Sequence, residues 1–139
     1  MRYVIVDGRA TAIVVNGWAG TRLLVVSLYL DVDDKLGTRN TNILYEIGKW
    51  ITRMGLPYVI CGDSNNTVES ISRLNWLSAI DGMVVAPSTP TYTSTTQNEG
   101  SIIDFFIVKR WMTPYATATT AVRKATLHRP VTLTLTRPV

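Results

Sequence analysis

The segment Val59-Ile60-Cys61-Gly62-Asp63-Ser64-Asn65-Asn66 contains the clearest structural signal in the chain. It opens as a short apolar run without polar alternation, which is typical of a strand buried on both faces. The run extends back to Leu56, so we predict a strand over residues 56–61. Gly62 then frees the backbone, and polar side chains follow at once. The segment therefore predicts a buried strand that ends in a polar loop.

That loop carries residues suited to phosphate chemistry. Strand alternation would place Asp63 and Asn65 on one side of the chain, at the carboxyl end where open α/β sheets usually bind ligands. A carboxylate can orient or deprotonate an attacking water, and a carboxamide can donate hydrogen bonds to a phosphate oxygen. The alternative interpretation is a polar turn in which one of them caps the next helix. The segment alone leaves both interpretations open.

The first 54 residues predict three strands and a helix. Apolar and β-branched runs favour strands over residues 4–6, 11–15 and 23–30, separated by tight turns at Asp7-Gly8 and Asn16-Gly17. Apolar residues at spacings of four and three then predict a helix over residues 39–53, ended by Gly55 and Pro57.

The second half continues the alternation of strands and helices. Thr67 is a candidate cap for a helix that runs to about Leu77. Four more strands are predicted over residues 83–86, 102–108, 116–123 and 130–136. The pattern for 116–123 is weaker, and the strand over 130–136 has one apolar and one Thr-rich face. Hairpins together with strand–helix–strand units predict an α/β fold, or α+β, with a mixed sheet.

Length and composition restrict the function classes. The 139 residues form one domain, and 46% hydrophobic with 17% charged residues excludes a disordered chain. We expect no membrane span, because no apolar run approaches the ~20 residues that it needs. The single Cys61 excludes an internal disulfide and a multi-thiolate zinc site, and it favours an intracellular location, cytoplasmic or nuclear. The net charge of +4 mildly favours a polyanionic partner such as nucleic acid.

Two further residues are candidates for a catalytic pair. Asp104 interrupts an apolar strand, and burying a carboxylate there requires a partner. His128 is the only histidine and precedes the final strand. A carboxylate that binds one imidazole nitrogen fixes the tautomer and raises the basicity of the other nitrogen. In the alternative, Asp104 meets a backbone amide or an arginine, and His128 is an exposed loop residue.

Taken in order, four motifs resemble the endonuclease/exonuclease/phosphatase superfamily. They are the strand over residues 24–30, Gly62-Asp63-Ser64-Asn65, Asp104-Phe105-Phe106 and His128-Arg129-Pro130-Val131. The resemblance covers nearly the whole chain and corresponds to the central and C-terminal parts of the family. It implies a partial four-layered α/β sandwich, in which mixed sheets are flanked by helices and the N-terminal strands are lacking.

The resemblance also implies a role for each matching residue. Tyr29 matches a strand-end residue near the scissile phosphate, and Asp63 matches the carboxylate that positions or deprotonates the nucleophilic water. Asn65 matches a phosphate-binding asparagine. Asp104 matches the carboxylate that orients the catalytic histidine, and His128 matches that histidine. The family's enzymes cleave phosphate esters with Mg²⁺ or Mn²⁺, which implies the same cofactor here if the chain is active.

Two departures concern the metal site. The family carries a metal-site Asn and a metal-binding Glu on strands near its N-terminus, and residues 1–26 match the region after both. The family's Ser-Asp-His also reads Thr126-Leu127-His128 here, so an alkyl group replaces a metal ligand. We therefore expect an N-terminally truncated domain of ancestral Mg²⁺-dependent phosphodiesterase type, with weak or no activity alone. We also expect it to self-associate or to need the missing N-terminal segment. Nucleic acid and phosphoinositide both stay open as substrates.

Two rival functions deserve comparison. Gly62-Asp63-Ser64 with a later histidine resembles serine esterases of the Gly-Asp-Ser type, although the residue three before His128 is Ala125 rather than Asp. The other rival is a non-catalytic nucleic-acid-binding or interaction module derived from the same fold, because basic residues and two aromatic residues concentrate in the C-terminal third. These residues are Arg110, Arg123, Lys124, Arg129, Arg137, Trp111 and Tyr115.

Overall fold

The computed structural model describes residues 2–92, 100, 102–121 and 128–137. It begins with an antiparallel meander of β1 (Arg2–Val6), β2 (Ala10–Trp18) and β3 (Thr21–Tyr29). The first turn contains Gly8 at φ +69°, as the Asp7-Gly8 pair predicts.

The second turn lies elsewhere than predicted. The prediction of a turn at Asn16-Gly17 is wrong, because β2 continues to Trp18 and the chain reverses at Ala19 and Gly20, both with positive φ. Gly17, at φ +111°, lies instead where the β2–β3 register shifts. A glycine with positive φ suits a bulge as well as a turn, so the dipeptide alone does not decide between them.

Helix α1 (Thr38–Met54) agrees closely with the predicted helix. Its apolar stripe is buried against the sheet, with Ile43, Ile47 and Ile51 at most 4% exposed. Gly55 adopts φ +65° and its N–H donates to the Ile51 carbonyl, so the helix ends at the predicted glycine cap.

Strand β4 (Tyr58–Asp63) pairs in parallel with β3, from Leu24 opposite Tyr58 to Tyr29 opposite Asp63. It begins two residues later than predicted, and it also ends two residues later because Gly62 stays in the strand at φ +129°. A Cβ atom at Gly62 would lie 2.0 Å from the Leu28 carbonyl oxygen. Only glycine fits this contact between the two strands.

The helix predicted after Thr67 is two short helices, α2 (Val68–Ser72) and α3 (Asn75–Ala79). The predicted cap is present, because Thr67 Oγ1 accepts a hydrogen bond from the Ser70 N–H at 3.2 Å. The prediction of one continuous helix is wrong because Leu74 is extended, at ψ 134°.

The remaining strands are β5 (Gly82–Val85), β6 (Phe106–Lys109), β7 (Ala116–Thr120) and β8 (Val131–Leu135), with a 3₁₀ helix over Arg110–Tyr115. β6 is shorter than predicted, because Asp104 forms only an isolated bridge with Asp63. In β8 the Thr side chains are exposed and the apolar ones half-buried, as predicted. Residues 122 and 123 of the predicted third strand lie outside the described residues.

The strands form a six-stranded sheet of order β1-β2-β3-β4-β6-β5 and a separate β7–β8 pair. Among the described strands of the larger sheet, only β3 and β4 pair in parallel. One apolar cluster lies between that sheet and helices α1 and α2, and a second lies between the two sheets. The predicted α/β fold with mixed sheets and flanking helices is therefore confirmed. In the described part of the chain, no helix combines the length and the apolar character needed to cross a bilayer.

We expect Gly62→Ala to lower the free energy of unfolding by about 3–5 kcal/mol, since it combines left-handed strain with a backbone clash. Gly8→Ala is the matched control, because Gly8 also has positive φ but nothing lies within 4 Å of its Cβ position. The control should cost about 1 kcal/mol. Equal losses for the two variants in urea unfolding would contradict the contact with Leu28.

Candidate functional site

Asp63 occupies the carboxyl end of β4 and is the centre of the site. Its backbone is paired with Tyr29 on one side and bridged to Asp104 on the other. Its carboxylate Oδ1 accepts a hydrogen bond from the Asn65 backbone N–H at 3.0 Å, and the side chain is 23% exposed. The parallel pairing and the bridge therefore place three predicted site residues side by side.

Asp104 and His128 form the predicted pair. The His128 Nδ1 lies 2.7 Å from Asp104 Oδ2, and its Nε2 lies 3.7 Å from Asp63 Oδ2. The imidazole thus lies between two carboxylates and is not an isolated loop side chain. A proton on Nδ1 would be donated to Asp104, which leaves Nε2 facing Asp63.

Thr91 and Tyr92 support this pair, although no sequence motif singles them out. The fully buried Thr91 accepts hydrogen bonds at Oγ1 from the backbone N–H groups of Ile103 and Asp104, both at 3.1 Å. Tyr92 bridges to His128 through the backbone, and the two rings lie 4.9 Å apart. Both residues belong to a Thr-rich stretch whose composition carries no signal for a catalytic support.

Tyr29 lies on the same side of the sheet as Asp63. Side chains alternate along a strand, and Val25 and Val59, which share the parity of Tyr29 and Asp63, pack between the two sheets. Tyr29 is 49% exposed, and the Arg9 guanidinium lies 5.0 Å from the centre of its ring. The sequence gives no signal for Arg9, which reaches the site only because the β1–β2 turn lies beside the end of β3.

Asn65 is placed differently from the prediction of strand alternation. The strand ends at Asp63, and Asn65 adopts φ +49° in the loop that follows. Its Nδ2 donates to the Leu30 carbonyl at 2.7 Å, while its backbone N–H holds Asp63. Asn65 therefore joins the ends of β3 and β4 and fixes the Asp63 carboxylate.

Ser64 is not available as a nucleophile. It is 6% exposed, and its hydroxyl lies 2.8 Å from the carbonyl oxygens of Ile103 and Asn66. A hydroxyl has one proton to donate, and these carbonyls compete for it. This geometry disfavours the serine-esterase interpretation.

Among the described basic and aromatic residues of the C-terminal third, Arg129 lies at the site beside Asp63, whereas Arg110 and Trp111 lie elsewhere. Arg110 pairs with Asp81 at 3.2 Å, and Trp111 stacks on Trp18 at 5.4 Å. Trp18 lies at the end of β2 opposite Thr21, where β3 begins, whereas Tyr29 and Asp63 lie at the other end of β3. Leu127, Arg123 and Lys124 lie outside the described residues.

The candidate site opens into a cavity of about 520 Å³. Its lining combines apolar side chains with the three catalytic candidates, which suits a ligand that has one ionic end. The lining includes Cys61, Gly62, Asp63, Asp104, Phe105, Phe106, His128, Arg129, Pro130 and Val131.

The environment of Asp63 changes its acidity. Burial raises the pKa of the Asp63 carboxyl above its ordinary value of 3.8, and the neighbouring Asp104 carboxylate acts in the same direction. The Asn65 N–H and His128 act against them without cancelling the pKa rise. Asp63 is therefore a stronger base than an exposed aspartate.

The same three side chains are candidates for holding a metal ion. One ligand atom from each of Asp63, Asp104 and His128 lies within 4.8 Å of the others. Carboxylate oxygens fit a hard divalent cation that keeps several waters. The hydrogen bond between Asp104 Oδ2 and His128 Nδ1 occupies two of the possible ligand atoms, so these residues would hold such a cation only weakly.

Solved structures share this fold. A chain of the cytolethal distending toxin from Actinobacillus actinomycetemcomitans aligns with a TM-score of 0.66 and 16% identity, over 90% of this chain and 52% of that one. The 3′ phosphatase NExo from Neisseria, solved with a product DNA hairpin, gives a TM-score of 0.65 and 16% identity over 92% and 65%. An endonuclease/exonuclease/phosphatase family protein from Bacteroides thetaiotaomicron gives 0.64 and 16% over 94% and 56%.

These likenesses show that the chain has the fold of the endonuclease/exonuclease/phosphatase superfamily, which includes nucleases and phosphatases. The chain spans 52–65% of the length of these three proteins. No protein-family model matches the sequence, and no curated protein matches it.

We expect Asp63→Asn to raise the free energy of unfolding at neutral pH. Because the pKa of Asp63 is raised on folding, the native state binds more protons than the unfolded chain between pH 3.8 and the raised value. Stability therefore falls as the pH rises through this interval, and asparagine removes that loss. The gain should vanish below the interval.

The measurement is urea unfolding of both proteins across this pH range. Glu46→Gln is the control, because Glu46 lies on the exposed face of α1. A gain of equal size at every pH would contradict the assignment to Asp63 ionisation.

Proposed function

We propose that this chain is a hydrolytic domain for phosphate esters, in which Asp63, Asp104 and His128 activate water and bind the phosphate. The observation that carries the proposal is the 3.7 Å separation of His128 Nε2 and Asp63 Oδ2 at the cavity. That distance is too long for a strong hydrogen bond. One oxygen atom at about 2.8 Å from each can nevertheless contact both.

Asp63 is the proposed general base. Its raised pKa makes it a better proton acceptor for a water that attacks phosphorus. As the new bond from the water oxygen to phosphorus forms, the water proton passes to Asp63 and the ester oxygen leaves with the bonding electron pair. The Asn65 N–H keeps the carboxylate in position during this transfer.

His128 is the proposed phosphate-binding group. Asp104 holds Nδ1, so a protonated imidazole keeps an N–H at Nε2 for a phosphate oxygen or for the leaving oxygen. Thr91 in turn fixes the backbone of Asp104. The imidazole is thus held in position before the substrate arrives.

Tyr29 and Arg9 form the proposed rim of the phosphate subsite. The Tyr29 hydroxyl and the Arg9 guanidinium are donors beside the Asp63 end of the sheet. Arg9 lies 3.9 Å from Asp31, which partly neutralises its charge. A phosphate group bound here would gain one donor from the end of β3 and one from the β1–β2 turn.

The proposed cofactor is Mg²⁺ or Mn²⁺, with Asp63 and Asp104 as its holding residues and His128 nearby. A bound cation would neutralise the phosphate and the charge that develops on the leaving oxygen. Two carboxylates bind such a cation weakly, so we expect activity to need a high metal concentration and to be low in this chain alone.

The direct test is hydrolysis of bis(p-nitrophenyl) phosphate and of plain DNA by the purified chain, with Mg²⁺, with Mn²⁺ and with a chelator. We expect metal-dependent cleavage that falls at least about 100-fold in His128→Ala, because one preorganised donor to the developing charge contributes about that much. Asp104→Asn should lower kcat with little change in KM, since Asp104 acts through His128.

Glu46→Gln is again the matched control and should leave the rates unchanged. If folded wild-type protein cleaves neither substrate faster than His128→Ala does, the proposed roles of Asp63, Asp104 and His128 are wrong. Salt-dependent DNA binding without turnover would then favour the non-catalytic nucleic-acid-binding module.

A further inference from the structure

Trp18, Trp111 and Tyr115 form an aromatic patch at the end of the six-stranded sheet that lies opposite the candidate site. Trp18 pairs with Thr21, where the nine-residue strand β3 begins, and the candidate site lies where β3 ends. A strand of this length separates its two ends by about 26 Å. The aromatic patch is therefore remote from the catalytic cavity.

Contacts on several sides fix the patch and leave one ring open. The Trp18 and Trp111 rings stack with their centres 5.4 Å apart, and the Tyr115 ring meets Trp18 edge-on at 6.4 Å. Trp18 Nε1 donates a hydrogen bond to the Thr136 carbonyl at 3.1 Å, which fixes the indole. Met112, the neighbour of Trp111, is fully buried and anchors the 3₁₀ helix. Trp111 is nevertheless 46% exposed, so the ring face turned away from Trp18 is accessible to a flat ligand.

Arg137 brings a positive charge to the edge of the patch. It follows Thr136, whose N–H donates to the Tyr115 carbonyl and whose own carbonyl accepts the hydrogen bond from Trp18. These two bonds fix the backbone before Arg137 beside the aromatic rings. The Arg137 side chain is exposed, and in the described part of the chain no carboxylate pairs with it.

Basic side chains outnumber acidic ones at this end of the sheet. Among the residues that the structure describes, Asp81 is the single carboxylate there, and it already pairs with Arg110 at 3.2 Å. The basic residues at this end are Arg22, Lys109, Arg110 and Arg137. The surplus of positive charge attracts a polyanion to the face that carries the open ring of Trp111.

We propose that the aromatic patch binds single-stranded nucleic acid. An unpaired base can stack on the open face of Trp111, while neighbouring phosphates bind Arg137 and Arg110. A duplex keeps its bases stacked on one another, so it does not offer this contact. A bilayer surface fits less well, because membrane binding grows with the apolar area inserted, and Trp18 and Tyr115 are already half-buried. This binding does not depend on hydrolysis at the candidate site.

The test measures binding of a short fluorescein-labelled oligothymidylate by fluorescence anisotropy, with a chelator present to prevent metal-dependent cleavage. We expect Trp111→Ala to weaken binding about tenfold, which is a usual size for the loss of one base–aromatic stacking contact. Trp111→Phe keeps an aromatic face and should retain most of the affinity. Tyr45→Ala is the matched control, because Tyr45 is 60% exposed but lies on α1, outside the patch.

The salt dependence of binding tests the role of Arg137. Arg137→Gln should lower the slope of log affinity against log salt concentration by about 0.7, as one lost phosphate contact with a single strand does. Lys49→Gln removes the same charge from α1 and should leave the slope unchanged.

Equal affinity of Trp111→Ala and Tyr45→Ala for the oligothymidylate would overturn the proposal, and so would equal binding of single strand and duplex. Binding that is lost in His128→Ala but kept in Trp111→Ala would overturn it too, because the strand would then occupy the catalytic cavity. Phosphatidylserine vesicles that bind through Trp111, without any binding of oligothymidylate, would assign the patch to a membrane instead. Trp111→Ala should leave hydrolysis of bis(p-nitrophenyl) phosphate unchanged, which separates this proposal from the proposed hydrolysis.

Discussion

The contact between the Gly62 backbone and the Leu28 carbonyl is the constraint on which the site depends. It lets β4 lie in parallel register beside β3 until both strands end together at Tyr29 and Asp63. The chain then turns at Asn65, whose Nδ2 donates a hydrogen bond to the Leu30 carbonyl. The backbone N–H of Asn65 donates a second hydrogen bond to the Asp63 carboxylate. A side chain at position 62 would separate the two strand ends, and with them the groups that face the cavity.

Asp104 and His128, the other two residues of the site, are connected to the ends of β3 and β4 by a few contacts between segments that are far apart in sequence. Asp104 and Asp63 form a single backbone β-bridge, and the Asp104 N–H donates a hydrogen bond to Thr91 Oγ1. The backbone carbonyl of Thr91 accepts a hydrogen bond from the Arg129 N–H at 2.6 Å, and this bond brings the segment that contains His128 to the cavity. One buried threonine thus links the carboxylate and the imidazole, although they are 24 residues apart in the chain.

Local pattern was sufficient to predict the helix α1, the buried strand before Gly62 and the mixed α/β class, since each depends on apolar periodicity or on a glycine cap. It was also sufficient to predict that Asp104 needs a partner. It failed at Gly17 and Leu74, where positive φ and an extended residue alter the path without any change in hydrophobic pattern. The places of Arg9 and Thr91 at the site could not be predicted, because they depend on contacts between elements that are far apart in sequence.

Asp104 holds His128 in one orientation toward Asp63. Since His128 is the only histidine, its ring nitrogens give the only imidazole signals in a ¹⁵N NMR spectrum of the chain. We expect a proton on Nδ1 that is protected from exchange and whose signal is strongly shifted by the hydrogen bond to Asp104, and we expect both properties to be lost in Asp104→Asn. Rapidly exchanging signals with an Nε2-protonated ring, unchanged by that substitution, would contradict it.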